Sequence, residues 1–162
     1  MQREAGIMER NMQSQSTLAE DVREIRDLAY RYAQAVDRRD SEALGQVFIE
    51  DGVIEGSGYL SEGRDRIMAI PPMMAKRYRA TFHAVQNHLV EVSGDRATGE
   101  VYTMAHHLQQ ADDGSLTDLV MIMRYYDDYV RSPDGWRFAR RKLNIDWTEL
   151  RPAKAHVVPS GG

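Results

Sequence analysis

Four long strand-like runs in the second half of the chain constrain the fold more than any other feature of the sequence. They follow residue 80 and read TFHAVQNHLVEVS, ATGEVYTMAHHLQQ, LTDLVMIMRYYDDYVRS and WRFARRKLNIDWTEL. The connections between them, GDR, ADDGS and SPDG, are short and rich in Gly and Asp, as is typical of hairpin turns. The sequence therefore predicts four consecutive antiparallel strands.

The first half of the chain carries helical signals instead. Thr17 can cap a helix, with Glu20 as its capping-box partner. The apolar residues that follow have helical spacing and predict one buried stripe; they are Leu18, Val22, Ile25, Ala29, Tyr32, Ala33 and Val36. Ser41 is predicted to cap a second short helix, and GRDRIMAIPPMMAKRY predicts a third helix that is broken at its two prolines. Helices followed by a meander predict an α+β domain, with three helices on one face of a curved antiparallel sheet.

Length and charge limit the classes of protein to consider. With 162 residues the chain suits one domain, for which we expect a flexible segment at 1–16, the folded domain at 17–150 and a tail at 151–162. The net charge of −4 argues against a nucleic-acid partner, and the absence of cysteine excludes disulfides and thiolate chemistry. No apolar run could span a membrane and no secretory signal is evident, so we expect a cytoplasmic protein.

Asp37 and His83 are the first candidates for chemistry. Asp37 follows the apolar stripe of the first helix, in YAQAVDRRDS, and His83 lies in the apolar strand TFHAVQNH. Period-two alternation places Thr81, His83 and Val85 on one face of that strand. Histidine is the usual general base near neutral pH, and a carboxylate beside it would orient the ring. A solvated aspartate and a core histidine with satisfied hydrogen bonds are the alternative interpretation.

Other polar residues of the predicted strands are harder to place. His106 and His107 are adjacent and point to opposite faces, so only one of them can enter a pocket. One of them could join His83 and Asp37 around zinc or iron, but no His-Glu-x-x-His motif is present and we expect no metal and no other cofactor. Arg141 shares its face with Leu143 and other apolar residues. A charge on such a face must be paired or bind an anion. The alternatives to anion binding are a salt bridge to a buried carboxylate and a bulge that turns the side chain outward.

Three segments together resemble the SnoaL-like branch of the nuclear transport factor 2-like superfamily over residues 17–148. They are EIRDLAYRYAQAVDRRDSEALGQVFIEDGVIE, TFHAVQNHLVEVSGDRATGEVY and YYDDYVRSPDGWRFARRKL. The resemblance implies a cone-shaped, cystatin-like α+β barrel. It is closest to the group that includes scytalone dehydratase, hexachlorocyclohexane dehydrochlorinase and bile-acid 7α-dehydratase, and it implies a catalytic dyad of Asp37 and His83.

The resemblance also implies roles for further residues. Tyr32 matches a tyrosine of the dehydratases that contacts the substrate oxygen, and Arg141 resembles a pocket arginine. His106 or His107 lies where scytalone dehydratase has a second histidine. We add two polar residues of the last strands to the predicted substrate-binding set, Tyr126 and Asn144.

These observations predict a cofactor-independent lyase or isomerase, of dehydratase or cyclase type. Its substrate would be a small hydrophobic, cyclic molecule resembling a polyketide or steroid. The alternative is a non-catalytic ligand-binding or structural subunit, like the β subunits of ring-hydroxylating dioxygenases. A third possibility, a hydrolase or cyclase that activates water, needs paired acids, for which only Asp37 and Asp146 are available. We also expect a homodimer or homotrimer, with Tyr125, Tyr129 and Trp147 on or beside the outer face of the sheet.

Overall fold

Helices and strands follow the predicted order in the computed structural model, which describes residues 2–154, with side chains from Thr17 onward. The helices are α1 (Gln2–Arg38), α2 (Ser41–Gln46), α3 (Arg64–Met68) and α4 (Ile70–Arg77). The strands are β1 (Phe48–Gly56), β2 (Tyr59–Glu62), β3 (Ala80–Ser93), β4 (Arg96–Gln110), β5 (Leu116–Ser132) and β6 (Gly135–Ala153). This architecture confirms the predicted α+β class.

The six strands form one sheet in the order β2-β1-β6-β5-β4-β3. The four long strands pair with their chain neighbours in antiparallel fashion, which confirms the predicted meander. Gly94 and Gly135 adopt positive φ angles of 60° and 101° in two of the turns, as tight hairpins require. The sheet is not wholly antiparallel, because β1 runs parallel to β6. The long intervening chain from β2 to β5 makes this parallel pairing possible.

Several predicted boundaries are wrong. Helix α1 passes through Thr17, so this residue does not cap it. Asp40 rather than Ser41 caps α2, because its side chain accepts the N–H of Ala43. The third predicted helix is two helices, α3 and α4, which meet at Ala69. The break lies before the two prolines rather than at them, because they occupy the first turn of α4, where a missing N–H is tolerated. Residues 151–153 of the predicted tail pair with β5 as the end of β6. The rest of that tail and the side chains of the predicted flexible segment 1–16 lie outside the described residues.

Bulges bend the sheet and change which side chains face the helices. The register of β3 against β4 shifts between Val85 and His88, and that of β5 against β6 shifts between Asp128 and Tyr129. Each extra residue reverses the alternation beyond it. His88 is therefore buried, although strict alternation from His83 predicts the opposite face.

The core lies between α1 and the concave face of the sheet. Tyr32 packs edge-on against the rings of Phe48, Tyr125 and Phe138, with ring centroids 5.8–6.2 Å apart. The prediction that Tyr125 and Tyr129 lie on or beside the outer face is wrong, because these residues are only 3% and 1% exposed. Trp147 is 54% exposed, beyond a second bulge of β6. Within residues 2–154 no helix is long and apolar enough to cross a bilayer.

A buried carboxylate joins α1 to the far end of the sheet. Asp21 accepts hydrogen bonds from both terminal nitrogens of Arg131, at 2.8 and 2.7 Å, and one from the indole N–H of Trp136, at 3.0 Å. Hydrogen bonds from Arg131 are the largest influence and lower the pKa of Asp21. A carboxyl with a depressed pKa adds stability above its unfolded pKa, and this contribution is lost as the pH falls through the folded pKa.

Asp21→Asn is expected to lower the free energy of unfolding by about 1–2 kcal/mol at pH 7, because an amide cannot satisfy the arginine fork. The difference from wild type should shrink as the pH falls below the unfolded pKa of about 4 toward the lower folded pKa, where the wild-type carboxyl itself takes up a proton. Urea denaturation at pH 7 and pH 3.5 measures both effects. Asp27→Asn is the matched control on the same helix, since Asp27 only meets Arg23 at 3.7 Å. Equal losses in the two variants would contradict the prediction.

Candidate active site

Asp37 and His83 meet where the end of α1 lies against strand β3. The Nδ1 atom of His83 is 2.7 Å from Oδ1 of Asp37, and the backbone N–H of His83 donates to Oδ2 at 2.8 Å. The hydroxyl of Thr81 donates to Oδ1 at 2.9 Å. Asp37 is thus held by three donors from a single strand, which fixes the plane of its carboxylate.

The protonation of the pair follows from these contacts. Burial, the largest influence, raises the pKa of Asp37, but the hydrogen bonds from His83 and Thr81 and the charge of His83 together hold it below its ordinary value. Asp37 is therefore an acceptor at neutral pH, and Nδ1 of His83 must donate to it. In a neutral imidazole this leaves the lone pair on Nε2. That atom has no hydrogen-bond partner within the described part of the chain and is not among the buried unpartnered atoms.

A surface cleft of about 330 Å³ borders the pair. Its walls come from α1 and β3, and its lining residues are Tyr30, Ala33, Gln34, Asp37, Arg38, Phe82, His83 and Val85. The side chains of His83 and Asp37 are 5% and 19% exposed, so the pair lies in the wall and is mostly screened from solvent. A shielded histidine with one free nitrogen and one carboxylate partner is the arrangement of a general base.

His107 completes the polar group on this face of the sheet. Its ring centroid lies 5.7 Å from that of His83 and 4.7 Å from that of Tyr78. Nδ1 of His107 donates to the carbonyl of Leu119 at 3.3 Å, which leaves Nε2 as an acceptor. Burial, followed by the charge of His83, lowers the pKa of His107 to about 4. His107 is therefore neutral at pH 7 and faces the same side as His83.

Residues 17–142 match the model of the SnoaL-like domain, in agreement with the α+β fold. The chain belongs to the SnoaL-like family. An uncharacterized protein of Mycobacterium tuberculosis is 28% identical over 137 residues, which cover 83% of this chain and 91% of the relative.

Two solved structures show the same fold. A protein provisionally named a scytalone dehydratase from Novosphingobium aromaticivorans is 22% identical, with a TM-score of 0.74 over 92% of this chain and 99% of its own. The hexachlorocyclohexane dehydrochlorinase LinA-type3 of Novosphingobium barchaimii is 18% identical, with a TM-score of 0.74 over 92% and 99% of the two chains. The predicted likeness to the dehydratase and dehydrochlorinase group is confirmed at the level of the fold.

Arg141 does not reach the site of this SnoaL-like chain, and its predicted substrate contact is corrected. The residue is 1% exposed, and its guanidinium donates to both carboxylate oxygens of Asp127, at 2.9 and 2.8 Å. It also lies 4.3 Å from the ring centroid of Tyr32. Arg141 therefore forms a salt bridge with a buried carboxylate, which was one of the predicted alternatives. Tyr32 is itself a core residue, 7% exposed, and makes no hydrogen bond to Asp37 or His83 within the described residues.

Three other predicted substrate contacts lie on the opposite, outer face of the sheet. His106 points away from its neighbour His107 and pairs with Asp118 at 2.6 Å. Tyr126 is 42% exposed, next in sequence to the buried Asp127. Asn144 is exposed and donates to Asp146 at 2.8 Å. These placements correct the predictions for His106, Asn144 and Tyr126, because alternation along each strand separates them from His83.

Sequence reasoning missed two residues beside the pair: Thr81, which contacts Asp37, and Arg39, which contacts Thr81. Thr81 lies on the same face of β3 as His83, so strand alternation could have identified it as a neighbour of the pair. Arg39 donates to Thr81 Oγ1 at 2.8 Å, but in the sequence it reads as one of several charges at a helix end. Between residues 17 and 154, no group of three or more potential metal ligands converges.

Proposed function

We propose that this SnoaL-like protein is a lyase or isomerase that removes a proton from carbon without a cofactor. One observation carries the proposal: the 2.7 Å contact between Asp37 and His83, with Nε2 of His83 left free at the wall of a cleft. The fold shared with a dehydratase and a dehydrochlorinase supports it further. A solvated aspartate and a fully satisfied core histidine would have left no such atom.

The reaction follows from the protonation state of the pair. Nε2 of His83 takes a proton from a carbon next to a carbonyl or a leaving group. In an elimination, the C–H electron pair forms a carbon–carbon double bond while the leaving group departs with its electrons. In an isomerisation, the proton is returned to another carbon. Asp37 remains ionised and stabilises the imidazolium of His83 that forms. His107, which is 4% exposed beside the His83 ring and neutral at pH 7, adds no second positive charge to the pair.

The cleft favours a small hydrophobic or cyclic substrate. Tyr30 and Phe82 are 53% and 62% exposed at its edge, and Val85 and Ala33 add apolar surface. Aromatic rings at a cleft edge offer flat, apolar contact to a ring-shaped ligand. A polyketide-like or steroid-like compound with an acidic C–H fits this chemistry.

Proton exchange tests the proposal before any natural substrate is known. A panel of cyclic ketones and β-hydroxyketones is incubated in D₂O, and deuterium incorporation or loss of water is followed by NMR and mass spectrometry. Wild type should accelerate exchange or elimination with at least one compound, and His83→Gln should not. His106→Gln is the matched control, since His106 also pairs with an aspartate but on the outer face. Equal activity in the two variants, or none in wild type across the panel, would favour the non-catalytic subunit.

We further propose that the outer face of the sheet pairs with another copy of the chain, as a homodimer or homotrimer. Exposed aromatic residues support this: Tyr102, Tyr126 and Trp147 are 39–54% exposed. Single exposed apolar residues are ordinary, but several on one face typify an interface. Trp147→Glu is therefore expected to reduce the mass measured by light scattering to that of the monomer. Leu60→Glu on the edge strand β2 is the control, and a monomeric wild type would contradict the proposal.

A further inference from the structure

The chain leaves α1 through a strained corner. The N–H of Asp40 donates to the carbonyl of Ala35 at 2.9 Å, and the N–H of Arg39 donates to Val36 at 3.2 Å. This is the Schellman pattern, whose corner residue adopts a left-handed conformation and is usually glycine. Here the corner residue is Arg39, with φ of 61°, and no other non-glycine residue in the described chain has a positive φ. Asp40 then caps α2, so only Arg39 and this capping residue separate the two helices.

The side chain of Arg39 turns back toward the catalytic pair. Its Nη1 donates to the carbonyl of Val36 and to Oγ1 of Thr81, both at 2.8 Å. Because Thr81 accepts from Arg39, its own hydroxyl hydrogen is directed to Asp37 Oδ1, at 2.9 Å. The same oxygen of Asp37 receives Nδ1–H of His83. A continuous chain of donors therefore runs from Arg39 through Thr81 to the carboxylate.

Two features of Arg39 are unfavourable by themselves. Its Nη2 is buried and has no hydrogen-bond partner among the described residues. Its backbone occupies a region that glycine enters far more easily. Burial lowers the pKa of the guanidinium, while the charge of Asp37 opposes that effect. Backbone strain at such positions is often associated with a functional site. An arginine that only closed the helix would gain nothing that glycine does not provide at this corner.

We propose that Arg39 is a positioning residue that acts through Thr81 to hold the Asp37 carboxylate in line with His83. The inference deepens the proposed function and rests on Asp37 and His83 acting as a pair. Arg39 does not contact the substrate, because the hydroxyl of Thr81 separates it from Asp37. The charged or titratable groups around Asp37 are Tyr32, Arg38 and Arg39 on or after α1, His83 on β3 and His107 on β4.

A structural role as a helix cap makes a different prediction. If Arg39 served only the carbonyl of Val36 at the helix end, then Arg39→Gly would end the helix at least as well and would leave Asp37 unchanged. If Arg39 is a positioning residue, the Arg39→Gly variant should have an unfolding temperature equal to or above that of wild type. Its Asp37 carboxylate should nevertheless lose its alignment with His83. Arg39→Lys restores the charge but not the planar fork, so it should restore the alignment only in part.

The experiment follows Asp37 by NMR in protein labelled with ¹³C at the aspartate carboxyl. In Arg39→Gly the Asp37 carboxyl should titrate at higher pH than in wild type, and the downfield Nδ1–H signal of His83 should weaken or disappear. Thr81→Val breaks the same chain of donors and should give the same two changes. The double variant should therefore add little to either single variant. Arg31→Ala, which removes an exposed arginine of α1, is the control for net charge.

An unchanged Asp37 titration in both Arg39→Gly and Thr81→Val would overturn the proposal. Additive effects in the double variant would also overturn it, since they would mean that the two residues act separately. Thr81→Val keeps the test decisive if Arg39→Gly does not fold. Because the readout is a titration rather than turnover, a protein without lyase activity would still show the expected change. Failure of this inference and failure of the proposed function are therefore distinguishable.

Discussion

Asp127→Ala is expected to lower the free energy of unfolding by about 3–5 kcal/mol, because it leaves the Arg141 guanidinium buried without a counter-charge. The side chains of Asp127 and Arg141 are 0% and 1% exposed, so water cannot replace the lost carboxylate. The rings of Tyr32, Tyr125 and Phe138 surround the guanidinium carbon at 4.1–4.4 Å, which allows little room for rearrangement.

The loss should extend to a small buried network. The hydroxyl of Tyr129 donates to Asp127 at 2.9 Å and lies 3.1 Å from Nε2 of His88. Removing the carboxylate leaves that hydroxyl without its acceptor, and burial already lowers the pKa of His88 to about 4. Neutral His88 cannot replace the missing charge at pH 7, so nothing in the network compensates the cation.

Equilibrium urea denaturation measures this effect. Asp146→Ala is the matched control. Asp146 also forms a salt bridge with an arginine, Arg124, at 2.7 Å, but the Arg124 side chain is 37% exposed on the outer face. The control should lose much less stability, since water can solvate its freed arginine. The double variant Asp127→Leu/Arg141→Met should recover much of the loss, because apolar residues can replace a buried ion pair. A loss in Asp127→Ala no larger than in the control would contradict the prediction.

The second large effect concerns turnover. Once a substrate is found, His83→Gln is expected to reduce kcat/KM by about 10²–10⁴-fold, the range typical of a positioned general base. Asp37→Asn should give a loss of similar size, because an amide facing Nδ1 can stabilise the tautomer that places the proton on Nε2 and cannot balance the imidazolium charge. Neither change removes a core contact of the size of the Asp127–Arg141 pair, so both variants should remain folded.

The combination of the two variants gives a further check. Residues that act as a unit are not additive, so the double variant should lose little more than either single variant. The pH dependence should follow Asp37: its pKa is depressed, so activity that needs the carboxylate is present at neutral pH and falls as the pH drops through the folded pKa. Circular dichroism and unfolding temperatures separate lost chemistry from lost folding. A folded Asp37→Asn protein with wild-type kcat/KM would exclude the dyad.

Much of the fold was predictable because its signals are local. The four strands and their turns follow from patterns within a few residues, and hairpin pairing then fixes which strands are neighbours. The end of α1 and the strand of His83 were located in the same way. Their convergence was suggested by the family resemblance, and the structure brings the two side chains to 2.7 Å.

The sequence alone therefore determined the α+β class, the meander and the two residues of the candidate dyad. Tertiary structure decided which side of the sheet each polar residue occupies. Bulges near Val85 and Asp128 reverse the alternation, and such bulges depend on the curvature of the whole sheet rather than on a local motif. The partner of Arg141 and the turn of Arg39 toward Thr81 likewise rest on contacts 14 and 42 residues apart, which no local pattern encodes.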